Sequence, residues 1–260
     1  MSSRTALVTG ASRGIGKAIA ASLVRCGWQV VGTSRKPDDM PGLRMAELDL
    51  ANEASIEALA ASLGNVDLIV HNAGGSQIGP IEEVPIPAMR ALFERNLFGA
   101  LRLTQLLLPR MRARGSGRIL FVSSFAGVIP VPFLSIYAAS KAALIAAGRG
   151  LRQEVLGSGI QVSVIAPFDI RTNIPLELSY RPDSPYMASV RRVRDVRDRS
   201  LAEAPEPDVV ANLVLRVIAQ PHPRAFYAAG RRAGLQAFLL KHLPDALVEL
   251  IVRRLFRVDG

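Results

Sequence analysis

Cysteine is all but missing from this 260-residue chain: Cys26 stands alone, which excludes an intramolecular disulfide and a multi-cysteine zinc site. Histidine is scarce too, and His71, His222 and His242 fall at no spacing that would hold a metal, so none is expected. Aromatic residues make up 5%, thin for a surface that stacks single-stranded bases. No uninterrupted apolar run approaches the roughly 18–20 residues that cross a bilayer, and no leader pattern precedes Ala6-Leu7-Val8. A cytoplasmic protein is the expectation. Lysine occurs only at Lys17, Lys36, Lys141 and Lys241, against 28 arginines.

What the chain does have is apolar content. Hydrophobic residues reach 49% and mean hydropathy is +0.24, enough for a sizeable core and too much for global disorder. The net charge of +10 invites an acidic partner. Arginine used in place of lysine beside abundant alanine reads more simply as a coding bias, and no nucleic-acid motif accompanies it. The basic excess gathers late, in Arg181–Arg199 and Arg224–Arg257.

Short apolar runs alternate with helix-period segments from end to end. They are Ala6-Leu7-Val8, Val30-Val31, Leu68-Ile69-Val70, Ile119–Val122, Val162–Ile165 and Ala225-Phe226-Tyr227, with a weaker candidate at Arg44–Leu48. Most lack period-2 alternation, as strands buried on both faces do. This predicts an α/β fold: one doubly wound parallel sheet of about seven strands, with helices on both faces, over residues 1–260. Two segments stand outside the alternation. One is a proline- and arginine-containing insertion from about Asn173 to Glu206. The other is a helical extension over about 231–258, where Leu235, Leu239, Leu243, Leu247, Ile251 and Leu255 recur every four residues and Pro244 breaks the run.

Thr9-Gly10-Ala11-Ser12-Arg13-Gly14-Ile15-Gly16 follows the first strand and opens a helix. Its glycines let the backbone turn tightly and approach a pyrophosphate, whose charge the helix N-terminus meets. A glycine-rich turn alone is weak evidence, and its place after strand one strengthens it. Cofactor choice is read about 20 residues on. There the chain has Thr33-Ser34-Arg35, with no carboxylate for a ribose hydroxyl. Arg35 and Arg13 instead suit a 2′-phosphate, so NADP(H) is expected over NAD(H).

Tyr137 and Lys141 are four apart and leave the same helix face. Ser124 lies thirteen residues upstream of Tyr137, just after a strand. In an open α/β sheet all three belong near the crevice beyond the strand ends. Tyr-x-x-x-Lys alone is common surface decoration. Joined to the glycine loop, Asp49-Leu50, His71-Asn72-Ala73-Gly74, Asn96 in Asn96-Leu97-Phe98-Gly99, Ser123-Ser124 and Tyr137-Ala138-Ala139-Ser140-Lys141, it resembles the short-chain dehydrogenase/reductase family over almost the whole chain.

The resemblance implies the following roles. Tyr137 is the general acid in carbonyl reduction and the base in alcohol oxidation. Lys141 holds the nicotinamide ribose and, with the oxidised nicotinamide ring, draws down a phenol whose ordinary pKa is about 10. Ser124 donates to the substrate oxygen, and Asn96 holds a water that links Lys141 to solvent. Asp49 meets the adenine. Leu50, Asn72, Ala73, Gly74 and Pro167 line the cofactor, while Ile170 and Thr172 meet the carboxamide. Together with Gly10, Ser12, Arg13, Gly14, Ile15, Gly16, Ser34 and Arg35, these complete the expected cofactor contacts. Ser123 is the competing serine, but its spacing fits less well.

Two departures from the family pattern stand out. His71 replaces the usual first Asn, and Phe168 replaces the glycine that normally follows Pro167. A side chain there resists glycine's backbone angles, which predicts a different loop course. Asp169 either approaches the substrate or faces solvent. The apolar stretch Val128–Leu134 beside the crevice favours a hydrophobic substrate, steroid-, retinoid- or lipid-like. Two alternatives compete with that reading. One is a ketoacyl-thioester reductase, whose acidic carrier would dock on Arg191, Arg192, Arg194, Arg197 and Arg199; a solvated helix face is the plainer view of those arginines. The other is a non-catalytic NADP-binding protein. A homodimer or homotetramer is expected. The final apolar stripe, edged by Arg231, Arg232, Arg253, Arg254 and Arg257, reads first as core or dimer packing and second as peripheral membrane contact.

Overall fold

A computed structural model describes residues 4–258 apart from 173, 175, 231, 232 and 234–241. Its strands and helices run β1 (Thr5–Val8), α1 (Gly14–Arg25), β2 (Gln29–Ser34), β3 (Arg44–Glu47), α2 (Glu53–Ser62), β4 (Leu68–His71) and β5 (Ser76–Ile78). There follow α3 (Ile86–Phe93), α4 (Gly99–Arg114), β6 (Gly117–Val122), α5 (Ser135–Glu154), β7 (Ile160–Pro167), β8 (Leu176–Leu178), α6 (Met187–Glu203), α7 (Asp208–Ala219), β9 (Phe226–Ala229) and α8 (Asp245–Phe256).

Seven strands form one all-parallel sheet in the order β3-β2-β1-β4-β6-β7-β9. The chain winds outward from β1 in one direction and then from β4 in the other. The carboxyl ends of β1 and β4 therefore flank the switch point, where such sheets open a crevice. The continuous apolar runs are explained by burial on both faces. On one face Leu7, Ile69, Ile119, Phe121, Val162 and Val164 pack under α2, α4 and α5. On the other, Ala6, Val8, Leu68, Val70, Leu120 and Ile165 pack under α1 and α7. The weak candidate near residue 44 is β3.

The alternation does not reveal a small second sheet. β5 and β8 pair in parallel, Ser76 with Leu176 through Ile78 with Leu178, although 100 residues separate them in the chain. β8 belongs to the 173–206 insertion, so that segment is strapped to the end of β4. The strap lies over a third, smaller cluster: Ile78, Leu134, Val190 and Val193, with Tyr137, Tyr186 and Phe256 against it.

The C-terminal stripe lies differently from expectation. Leu235, Leu239, Arg231 and Arg232 are outside the described residues, as is Asn173 at the start of the insertion. On α8, which begins just after Pro244, the sides of Val248, Val252 and Phe256 turn inward. Leu247, Leu250, Ile251 and Leu255 are exposed, Leu255 by 60%. Packing on the chain's own core therefore does not account for Leu247, Ile251 and Leu255 of the stripe. Arg192 Nε donates to the Arg257 carbonyl at 3.1 Å and ties α8 to α6.

Candidate active site

The glycine loop turns where glycine is required. Gly10 and Gly14 have φ of 69° and 52°, in the left-handed region. Gly16 is needed for space: a Cβ there would lie 2.2 Å from the Gly10 carbonyl oxygen and 2.5 Å from Asn72 Nδ2. Asn72 holds the loop from β4. Its Nδ2 donates to the carbonyls of Thr9 (2.9 Å) and Gly10 (3.3 Å). Thr9 answers, its Oγ1 accepting from the backbone N–H of Asn72 (2.9 Å) and Ala73 (3.0 Å). Thr9 carries no obvious signal in sequence, yet it is the buried post to which the loop is bolted.

Gly10, Ser12, Arg13, Gly14, Ile15, Ser34, Arg35, Asp49, Leu50, Asn72, Ala73, Gly74, Ser124, Tyr137, Lys141, Pro167, Ile170 and Thr172 all line one cleft of about 430 Å³. Gly16 lies behind the loop and Asn96 behind Gly74. At the cofactor end, Thr33 Oγ1 and Ser34 Oγ are buried without a hydrogen-bond partner. Buried hydroxyls in that state mark polar groups built for something outside the protein. With the close backbone of the glycine loop and the exposed cations Arg13 and Arg35 beside them, they fit a phosphorylated adenosine. Asp49 turns inward on the chain, its Oδ1 accepting from Ala51 N at 2.9 Å.

Asn96 sits in a π-helical turn, Glu94–Phe98, set between α3 and α4. Such a turn holds one residue more than an α-turn and is frequent at functional sites. The Asn96 Oδ1 accepts from Gly75 N at 2.8 Å, and its Nδ2 donates to Gly75 O (3.1 Å) and Ser140 Oγ (2.9 Å). Both amide hydrogens are spent inside the protein, so the side chain has no donor free for the expected water. Its visible work is to pin the β4–β5 turn to α5. Gly74 is pinched between Asn96 Oδ1 and Lys141 Nζ, 2.8 Å and 3.3 Å from where a Cβ would stand.

Ser124 caps a short 3-10 turn after β6, its Oγ accepting from Ala126 N at 3.2 Å, and it lies near enough to the Tyr137 phenol to lower that group's pKa. Ser123 is committed elsewhere, donating to the Lys141 carbonyl at 2.8 Å. Lys141 Nζ donates to Val122 O at 3.3 Å, and burial pulls its pKa down to about 8. Burial pushes the Tyr137 phenol up. The Ser124 hydroxyl and the Arg197 guanidinium pull it down, and the Asp169 carboxylate pushes it up, leaving it above its ordinary value. With the protein alone in the cleft, Tyr137 is a neutral proton donor.

Phe168 has no positive φ, so the segment follows a course that does not call for glycine. Its N–H donates to Ala229 O at 2.8 Å, and its ring stacks on Phe125 with centroids 3.8 Å apart. It lines the cleft with Val131, Leu134, Ile174, Leu255 and Phe256. Asp169 also lines the cleft and accepts a hydrogen bond from the Ser200 hydroxyl. Four participants escape sequence reading. Arg95 and Glu177 form a 2.7 Å ion pair that tethers the strap to the π-turn. Arg197 and Ser200 reach in from α6. The first pair depends on the β5–β8 pairing and the second on the phase of α6, and neither is a local pattern.

With that geometry in hand, the chain can be set beside known proteins. The family model of the short chain dehydrogenases matches residues 4–181. The uncharacterized oxidoreductase YusZ of Bacillus subtilis is 31% identical over 98% of this chain and 99% of its own length. A crystal structure of a short-chain dehydrogenase from Streptomyces avermitilis superposes with a TM-score of 0.83 at 34% identity, covering 100% of both chains. The closed form of a serine dehydrogenase complexed with NADP+ superposes at 0.72 and 26% identity, covering 86% of this chain and 93% of that one.

Proposed function

We propose, because the chain belongs to the short-chain dehydrogenase family, that it uses NADP(H) to interconvert a carbonyl and an alcohol on a hydrophobic small molecule. The observation that carries this reading is that Ser124, Tyr137 and Lys141 line one cleft with the glycine loop. The nicotinamide cofactor, when bound, supplies or accepts the hydride. Everything else falls to the chain. Tyr137 gives its phenol proton to the oxygen of a reduced carbonyl, or takes one from an alcohol, and Ser124 holds that oxygen as charge develops on it. Lys141, with a pKa near 8, keeps most of its ammonium at neutral pH and stands ready to bind a ribose hydroxyl. Asn96 positions rather than reacts. A neutral resting phenol suits the reductive direction.

NADP(H) is favoured by Arg35, Arg13 and the unpartnered Ser34 hydroxyl, and the NADP+-bound serine dehydrogenase supports the same choice. A hydrophobic substrate is favoured by Val131, Leu134, Phe168 and Phe256 in the cleft. The exposed apolar side of α8 extends this reading. Leu247, Leu250, Ile251 and Leu255 stand beside Arg253, Arg254 and Arg257, a pairing that suits an anionic bilayer at the cleft mouth. Flotation with phosphatidylserine vesicles is expected for the intact protein and not for Ile251→Glu/Leu255→Glu.

The reaction is tested by following oxidation of NADPH and of NADH against a varied panel of ketones and aldehydes. Turnover with NADPH at least about tenfold more efficient than with NADH is expected, and Arg35→Ala should narrow that gap. No turnover with any carbonyl or alcohol would favour the non-catalytic alternative.

A further inference from the structure

The basic face of α6 is not uniform. Val190 and Val193 are buried against the cluster that contains Leu134, Tyr137 and Phe256. One turn later the same side of the helix presents Val196, Arg197, Ser200 and Leu201 to the cleft. Arg191, Arg192, Arg194 and Arg199 point to solvent, but the Arg197 side chain is only 15% exposed. It belongs to the pocket and not to a docking face.

Its partners do not satisfy it. The sole ion pair of Arg197 among the described residues is one 3.5 Å contact from Nη1 to its neighbour Asp198, whose side chain is half-exposed. Asp169, an acid of the same cleft, takes a hydrogen bond from Ser200 and forms no ion pair with Arg197. A guanidinium has five donors in a fixed fork, and none of those of Arg197 is sealed off without a partner, so the donors that Asp198 does not take are open to the cleft. The same group is close enough to Tyr137 for its charge to act on the phenol. Besides Ser124, Tyr137 and the Asp169–Ser200 pair, this end of the cleft is lined by Val131, Leu134, Phe168, Val196, Leu201 and Phe256.

We propose that Arg197 is an oxyanion-recognition residue, so that the substrate is an amphipathic acid whose carboxylate lies a few bonds from the reacting carbon. A single guanidinium matches the single charge and two oxygens of a carboxylate, whereas a dianionic phosphate would call for more donors than this end of the cleft offers. The apolar residues opposite take the aliphatic remainder. The inference rests on the proposed reaction for which carbon is the reacting one, but its test does not require turnover.

The test is calorimetric titration in the Tyr137→Phe background with NADP+ present, using 3-hydroxyoctanoate, 2-hydroxyoctanoate and the methyl ester of each. The acid of one pair is expected to bind roughly ten- to a hundredfold more tightly than its ester. Arg197→Met should erase that difference while leaving the ester unchanged, and Arg197→Lys should retain part of it. Thermal unfolding of each variant separates a folding defect from a lost contact. Equal affinity for acid and ester, no binding of either acid, or a difference that survives Arg197→Met overturns the proposal. So does a change in Arg197→Met that is confined to the pH–rate profile of the Tyr137 enzyme and equal for acids and esters. That outcome would make Arg197 a tuner of the phenol alone. Failure of the wild-type protein to reduce any carbonyl, with acid discrimination intact, would sink the reaction and spare the site.

Discussion

At the glycine-loop end of the cleft, backbone meets backbone at the limit of packing, and Asn72 and Thr9 tie the start of the loop to the end of β4. At the other end, under α6 and α8, long side chains from distant segments reach in, with charges only loosely paired. The first end has no room for a methyl group at Gly16; the second holds an under-used guanidinium at Arg197 and a stacked Phe125–Phe168 pair. The difference teaches where constancy and choice reside. A pyrophosphate is the same in every dinucleotide and is met by rigid main chain. Substrates differ, and they are met by side chains that can be exchanged without disturbing the sheet.

Substitutions should divide along that line. Tyr137→Phe, at the junction, is expected to lower kcat by about a thousandfold while nucleotide affinity, read by fluorescence titration, stays within a factor of about two. A parallel fall in affinity would mean that the two ends are not separable. Gly16→Ala forces a Cβ into the Gly10 carbonyl. It should reduce stability by about 3 kcal/mol and weaken NADPH binding, as read by denaturant titration and nucleotide binding. Unchanged binding would show the loop to be softer than its packing implies.

Lys141→Met should do the reverse, removing activity but raising stability by about 2 kcal/mol at pH 7. Because burial places the folded pKa near 8, below the unfolded value of about 10.4, the charged form opposes folding. The penalty is full below pH 8 and disappears as pH rises through the unfolded value, so the gain should vanish there.

His71 makes the smallest test, behind the cofactor end. It is buried neutral with a pKa near 3, stacked on Phe121 and bonded to Thr104 Oγ1 at 2.8 Å. Below about pH 6.5 the unfolded chain takes up a proton that the folded one refuses. Stability should therefore fall as pH drops toward the folded pKa, by about 1–2 kcal/mol at pH 5. His71→Asn should flatten that decline between pH 7 and pH 5 in urea melts.

The sheet and the cofactor end were legible in sequence because their signals are local. Strand runs, positive-φ glycines and a Tyr–Lys pair on one helix face are each written within a few residues. The strap was not, since β5 and β8 are three residues each and have meaning only when paired across the chain. Arg197 looked like one of five solvated arginines because the rotation of α6 is set by Val190 and Val193, whose burial depends on Leu134 and Tyr137 far upstream. Phe168 is the converse case: a side chain at that position already implied that the loop would not use glycine's angles, and its backbone does not.

The π-helical turn has a consequence for insertions and deletions. Each residue of an α-helix advances the winding by about 100°, so the extra residue in Glu94–Phe98 offsets α3 from α4 by that angle. Leu92 before it and Ala100, Leu103 and Leu107 after it are nonetheless all buried. A chain one residue shorter within the turn could keep both helices seated only by rolling Asn96 out from between Gly75 and Ser140. Length at this turn is therefore as constrained as residue identity, and an alignment gap there would mark a relative whose active site is held together in some other way.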